Sequence, residues 1–196
     1  MNIWDVVAIV YGFIALATLL PAVIPIFRDV KPIPGDADSC NPSHFSEVTR
    51  RKWSNYYSPM LVTLNSWRKQ AAICKRFHYY CVNWTILSSW FIPTIGTTHG
   101  DGEAKWLIVV VSSHVALALS FHRGLKVSEN LNAFRVGESD FHDLNRRLEH
   151  QPTTLGNHEE EQLKAYIEAA EDIRKNVRAS ATKGLANIEL SDNRRV

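Results

Sequence analysis

The sequence has no Lys or Arg ahead of Arg28, so its start lacks the cationic leader of a secretory signal. The apolar run that follows is also longer than a signal core, and a retained span is expected. There are only three cysteines, Cys40, Cys74 and Cys81. An odd number at irregular spacing excludes a disulfide framework and fits reduced or buried thiols. Missing too are a phosphate-binding glycine loop, a nucleophile elbow and an HExxH pair. No enzyme active site and no cofactor are therefore expected. No ring of acidic residues marks an ion selectivity filter.

What is present is apolar sequence, concentrated in the first two thirds of 196 residues, with six Trp, six Tyr and eight Phe. Mean hydropathy is slightly negative, but that average hides the concentration. Aromatic rings of this kind gather at membrane interfaces, where one edge is apolar and the other wet. Three stretches read as spans. Ile3 to Phe27 is apolar except for Asp5, Tyr11 and Thr18, and Pro21 and Pro25 are expected to kink its end. Phe77 to Ile95 is bounded by Tyr79 and Tyr80 at one end and Trp90 at the other, with Pro93 expected to end or kink it. Trp106 to about Phe121 is short, roughly 24 Å at the helical rise, and Ser112, Ser113 and His114 break its apolar run. Gly96 to Ala104 is glycine-rich and predicts a tight connection, making the last two spans a hairpin.

Charge sets the orientation. Nine Lys and Arg lie between Arg28 and Arg76, Lys105 stands alone near the hairpin loop, and twelve follow the third span. Three crossings put all but one of the 22 on one side, which the positive-inside tendency makes cytoplasmic. The N-terminus then faces outward and the C-terminus is cytoplasmic.

The expected architecture is an all-α membrane protein with three transmembrane helices. Residues 1–27 form the first span, 28–42 an extended Pro/Gly-containing linker, and 43–150 the hairpin with cytoplasmic extensions. Residues 151–196 form a C-terminal amphipathic helix and polar tail. A helix is predicted from near Ser43, with one apolar stripe at Tyr56, Met60, Leu64, Trp67, Ala71 and Cys74 and a kink at Pro59. Val127, Phe134, Phe141 and Leu148 recur every seven residues beside Leu131 and Leu144, a seam for packing within or between subunits. Gln151 to Gly156 breaks the helix. The last helix is predicted from Asn157, with Glu159, Glu160 and Glu161 in its first turn. Its apolar face is Leu163, Tyr166, Ile167, Ala170, Ile173 and Val177.

Three groups of residues could carry function. Cys74, His78 and Cys81 share a helix face, but metal sites need more ligands, and packing is the expected role. Asn83, Thr85, Ser89, Ser113 and Ser120 are polar groups within spans, suited to interhelical hydrogen bonds or to lining a pore. Arg68, Lys69, Lys75 and Arg76 precede the second span, and Arg123 and Lys126 follow the third. They serve topology and lipid headgroups, or an anionic ligand such as a nucleotide or oligonucleotide. Trp67, Tyr79 and Tyr80 could stack its bases.

From Tyr56 to about Leu148 the sequence resembles the SLATT domain, a two-span bacterial membrane module. The features are Trp53 and Tyr56-Tyr57 before the hairpin, Phe91-Ile92-Pro93 at the end of its first span, and Phe134-Arg135-Val136-Gly137-Glu138-Ser139-Asp140-Phe141 after it. Arg135 and Glu138 match the family's aromatic-Arg-x-x-Glu element. The span at 3–27 departs from the two-span pattern. The resemblance implies a homo-oligomer, with a tetramer as the working number, that forms a pore and arrests growth in bacterial anti-phage defence. It also implies a regulator made by a nucleotidyltransferase encoded nearby, as in Hailong-type operons. A membrane-tethered scaffold recruiting a cytoplasmic partner through 157–188 is the alternative.

Overall fold

The computed structural model describes residues 3–27, 40, 42–98 and 104–192. Every regular element among them is helical: α1 (Ile3–Phe27), α2 (Glu47–Thr98), α3 (Lys105–Gly124), α4 (Val127–His150), a short 3₁₀ turn (Pro152–Thr154) and α5 (Glu159–Asp192). The linker 28–42 and the hairpin connection fall largely outside the described residues, as do the last four residues of the tail.

Two boundaries differ from expectation. The second helix starts at Glu47 rather than near Ser43, because residues 43–45 form a turn and Ser46 caps the start. The third span does not extend unbroken into the next helix. Lys126 takes a left-handed backbone, φ 46°, and splits α3 from α4. Conversely, α2 continues through both Pro59 and Pro93. Each proline removes one backbone bond, and both rings lie on exposed faces, away from packed neighbours.

The chain divides into two compact units that do not follow chain order. One holds α1, α2 from Ala72 onward, and α3 through Ser128; the other holds the first half of α2 with α4 and α5. The second unit is a helical bundle around an apolar core. Leu64, Phe141, Leu148 and Tyr166 are completely buried. Tyr57 stacks on Trp53 at 4.4 Å and on Phe141 at 6.2 Å. The stripe on α2 from Tyr56 to Ala71, the heptad positions of α4 from Phe134 onward and the apolar face of α5 meet in one cluster, so the α4 seam packs within the chain, whereas Cys74 at the end of the stripe lies outside it. A methyl group at Gly137 would fall inside the side chain of Val177 and against Trp67, so α2, α4 and α5 approach closely there.

Several buried polar groups in this bundle are paired. Asn145 donates from Nδ2 to the Tyr57 hydroxyl (3.4 Å) and accepts from the Tyr166 hydroxyl at Oδ1 (2.8 Å). Burial pushes the Tyr166 phenol far above its ordinary range. Burial, with the charge of Glu149, also pushes the Cys40 thiol up to about 12. That thiol stays neutral and inert. Glu159 accepts the Ser46 N–H (3.0 Å) and O–H (2.8 Å), joining the starts of α2 and α5, and these bonds hold its carboxyl below the ordinary value.

The first unit has the opposite surface. Phe13 and Trp106 are 70% and 74% exposed, and Ile3, Leu16, Trp90 and Leu117 are exposed with them. Two of its helices are long and apolar enough to cross a membrane, Ile3–Pro21 and Lys105–Gly124. The stretch Phe77–Ile95 does not reach that level of hydropathy, because His78, Asn83, the serines and the indole and phenol rings lower its mean. Small residues bring these helices together: Ala15 and Ala118 are buried with Tyr80, Cys81 and Trp84.

Candidate functional site

The interior of the apolar unit is where its chemistry lies. His114 on α3 is bonded at both ring nitrogens, Nδ1 to the Tyr11 hydroxyl of α1 and Nε2 to the Tyr80 hydroxyl of α2, each at 2.7 Å. The Tyr80 hydroxyl also lies 3.3 Å from the Ala15 carbonyl, which can only accept. Tyr80 therefore donates to Ala15 and receives the Nε2 proton, while Nδ1 accepts from Tyr11. Trp84 meets the imidazole edge-on at 5.2 Å and donates from Nε1 to Thr18 Oγ1 at 3.1 Å. Polar groups in so apolar a unit are costly unless paired, and here each partner comes from a different helix.

One end of the same unit holds a second imidazole arrangement. His78 Nδ1 on α2 faces His122 Nε2 on α3 at 2.8 Å, and Ser128 Oγ lies 3.4 Å from the same His78 nitrogen. Cys81, on the same face of α2, points its Sγ to the Ala118 carbonyl at 3.6 Å. Cys74 is half-buried. Among the described residues no three His, Cys, Asp or Glu side chains converge as metal ligands, and His78 and Cys81 instead meet His122 and Ala118 of α3.

The six basic residues fall in both units. Arg68 and Lys69 belong to the bundle, where Arg68 Nε pairs with Glu138 Oε1 at 2.8 Å and its Nη2 reaches His142 Nε2 at 3.2 Å. Lys75, Arg76, Arg123 and Lys126 belong to the apolar unit. Lys75 and Arg123 are exposed. Arg76 donates to the Pro21 carbonyl at 3.2 Å. That carbonyl is one turn before Pro25, which has no N–H to offer it, so the guanidinium satisfies a group that the α1 sequence itself leaves open. Of the aromatics considered for stacking, Tyr79 is exposed, whereas Trp67 and Tyr80 are buried in the two cores.

The span hydroxyls are mostly satisfied within their own helices. Thr85 donates to the Cys81 carbonyl (2.7 Å), Ser89 to Thr85 (2.8 Å) and Ser120 to Ala116 (2.7 Å). Asn83, Ser89, Ser113 and Ser120 lie on exposed faces, and Thr85 is half-buried. Arg135 and Glu138 pair with each other at 3.2 Å, and Glu138 at once holds Arg68. Sequence reasoning paired the first two but missed Arg68 as their partner. It also missed His114 and the His78–His122 contact, whose only signal was a polar residue inside an apolar run.

No protein-family model, curated protein or solved structure matches the chain.

Proposed function

We propose that the chain is a homo-oligomeric, pore-forming effector of the bacterial inner membrane, acting in anti-phage defence by depolarisation and growth arrest rather than by catalysis. The observation that carries the membrane part is the outward-facing apolar surface of the first unit, including Phe13, Trp90 and Trp106. Monomeric soluble proteins rarely expose such contiguous patches. Phe77 to Thr98 has no Asp, Glu, Lys or Arg over a length that would cross a bilayer, which supports a third crossing despite its modest hydropathy. With three crossings the N-terminus lies outside, and the Lys- and Arg-rich remainder is cytoplasmic.

The pore reading rests on exposed polar positions within those crossings, Asn83, Ser89, Ser113 and Ser120, and on the resemblance to SLATT effectors. Hydroxyls bonded to their own helix can face water or a neighbouring subunit without an orphaned donor. Regulation by a nucleotide or oligonucleotide is supported by the exposed cations Lys75 and Arg123 with Arg76 in the same unit. Arg68 contributes less, because Glu138 already neutralises it. The scaffold alternative loses its docking face, since Leu163, Tyr166, Ala170 and Val177 are buried against the chain's own bundle.

Membrane potential in cells expressing the chain tests this reading, beside a variant with Ser113→Leu and Ser120→Leu. Depolarisation by the native chain, lost in the variant, is the expected result. With candidate nucleotides supplied, no depolarisation in either case would overturn the pore. Arg123→Glu should abolish nucleotide control while leaving conductance intact.

A further inference from the structure

We propose that the groove between α1 and α2 is a binding site for a flat, bilayer-soluble ring carrying a carbonyl, of the quinone class. The groove is a cavity of about 320 Å³. Val10 and Tyr11 of α1 line it with Trp84, Leu87, Ser88 and Phe91 of α2, all within one compact unit. Its volume lies at the lower end of small-molecule sites, ~300–1,000 Å³, and suits a head group of two fused rings. Val10, Leu87 and Phe91 are exposed, so the cavity opens on the apolar outside of the unit. Its occupant therefore arrives from the bilayer.

Ser88 sets the chemistry. It is 4% exposed, and its Oγ forms no hydrogen bond. Thr85, Ser89 and Ser120 return their protons to a carbonyl one turn back, and Ser88 does not. Ser88 lies beside the Tyr11 hydroxyl without the geometry of a hydrogen bond, and the Tyr11 proton is committed to His114. A buried hydroxyl without an acceptor is costly, so the occupant has to bring one.

That requirement separates the candidates. Ser88 stands halfway along the stretch Phe77–Thr98, in the middle of a hydrocarbon core of ~30 Å, where a lipid chain carries no oxygen. A water would meet Ser88 and Tyr11 but no third partner on a wall that is otherwise apolar. A ring with a carbonyl accepts from Ser88 and lays its face against Tyr11, Trp84 or Phe91. The site rests on the membrane reading of this unit and is independent of the pore.

The test places the full chain in liposomes and follows tryptophan fluorescence while dimethylnaphthoquinone is added. Both open positions of its quinone ring are methylated, so thiols do not add to it. The expected result is saturable quenching. Dimethylnaphthalene, which lacks the carbonyls, should displace the quinone only at about three- to tenfold higher concentration in the membrane. Ser88→Ala should weaken the quinone by the same three- to tenfold, the contribution of about one hydrogen bond. Val10→Phe should fill the cavity and abolish saturation, and Ser54→Ala on the bundle surface should change nothing. Should Ser88→Ala fail to fold, the hydrocarbon comparison and Val10→Phe still decide. Quenching that only rises in proportion to the quinone, or affinity unchanged in Ser88→Ala, would overturn the site. Equal displacement by the hydrocarbon would make the groove a seat for lipid chains and overturn the carbonyl. Crosslinking between copies through Val10→Cys, with Cys40, Cys74 and Cys81 replaced by Ala, would seat a second copy there and overturn it as well. These outcomes leave the membrane reading standing, whereas failure of the chain to enter liposomes would overturn that reading and the site with it.

Discussion

Phe13 and Val62 are each 70% exposed, yet they belong to opposite kinds of structure. Val62 sits on a bundle whose apolar stripes face inward and whose surface carries ion pairs such as Arg146–Asp143 and Lys175–Asp172. Phe13 sits on a unit whose outside is apolar and whose inside holds a histidine bonded to two tyrosines. On the proposed reading, the difference is what two solvents acting on one chain produce. In water, burial of apolar area drives packing, and polar groups stay out. In lipid that drive is absent between helices, and small residues with paired polar side chains hold them together. The α2 helix contributes residues to both units, and its composition changes along its length accordingly.

Substitutions can break or sharpen this contrast. The largest loss is expected from Phe141→Ala in the bundle, about 3–5 kcal/mol, because a fully buried ring stacked near Tyr57 leaves a cavity. Hydrogen exchange should show the bundle amides opening first. Next comes Gly137→Val, about 1–3 kcal/mol by overpacking against Val177 and Trp67, seen in the same experiment. In the other unit, His114→Ala should cost about 1–3 kcal/mol by leaving the Tyr11 and Tyr80 hydroxyls without their partner. His114→Phe keeps the bulk, so an equal loss would identify the hydrogen bonds rather than the volume as the cause. The smallest effect is electrostatic. The Glu159 carboxyl is held low by Ser46, so its contribution is present above the ordinary carboxylate value and is lost as the pH falls through the lowered one. Glu159→Gln should lower the melting temperature slightly at neutral pH, where that contribution is present, and leave it almost unchanged at low pH, where it is already lost, so the acid side of the profile flattens.

Much of the bundle was legible in the sequence because periodicity reports a buried face directly. The stripe through Met60, Leu64, Trp67 and Ala71 and the positions Phe134, Phe141 and Leu148 all enter its core. Trp53 and Tyr57, valued only as motif residues, are core as well. The apolar unit was less legible. Its helices are apolar on most sides, so periodicity does not single out the face toward a neighbour. Hence the register that sets His114 between Tyr11 and Tyr80, or His78 against His122, was hidden. The same holds for Arg76 and Pro21, which lie 55 residues apart. The α3–α4 break escaped notice because a non-glycine residue, Lys126, adopts the left-handed turn.

The central claim is that equal exposure means lipid in one unit and water in the other. It is tested by placing single nitroxide labels at Phe13→Cys and Val62→Cys, with Cys40, Cys74 and Cys81 replaced by Ala, in liposomes. Relaxation by dissolved oxygen is then compared with relaxation by a polar nickel chelate. The account predicts that the label at 13 responds to oxygen and is shielded from the chelate, while the label at 62 does the reverse. Strong relaxation of both labels by the chelate would contradict it, because α1 would then be lying in water.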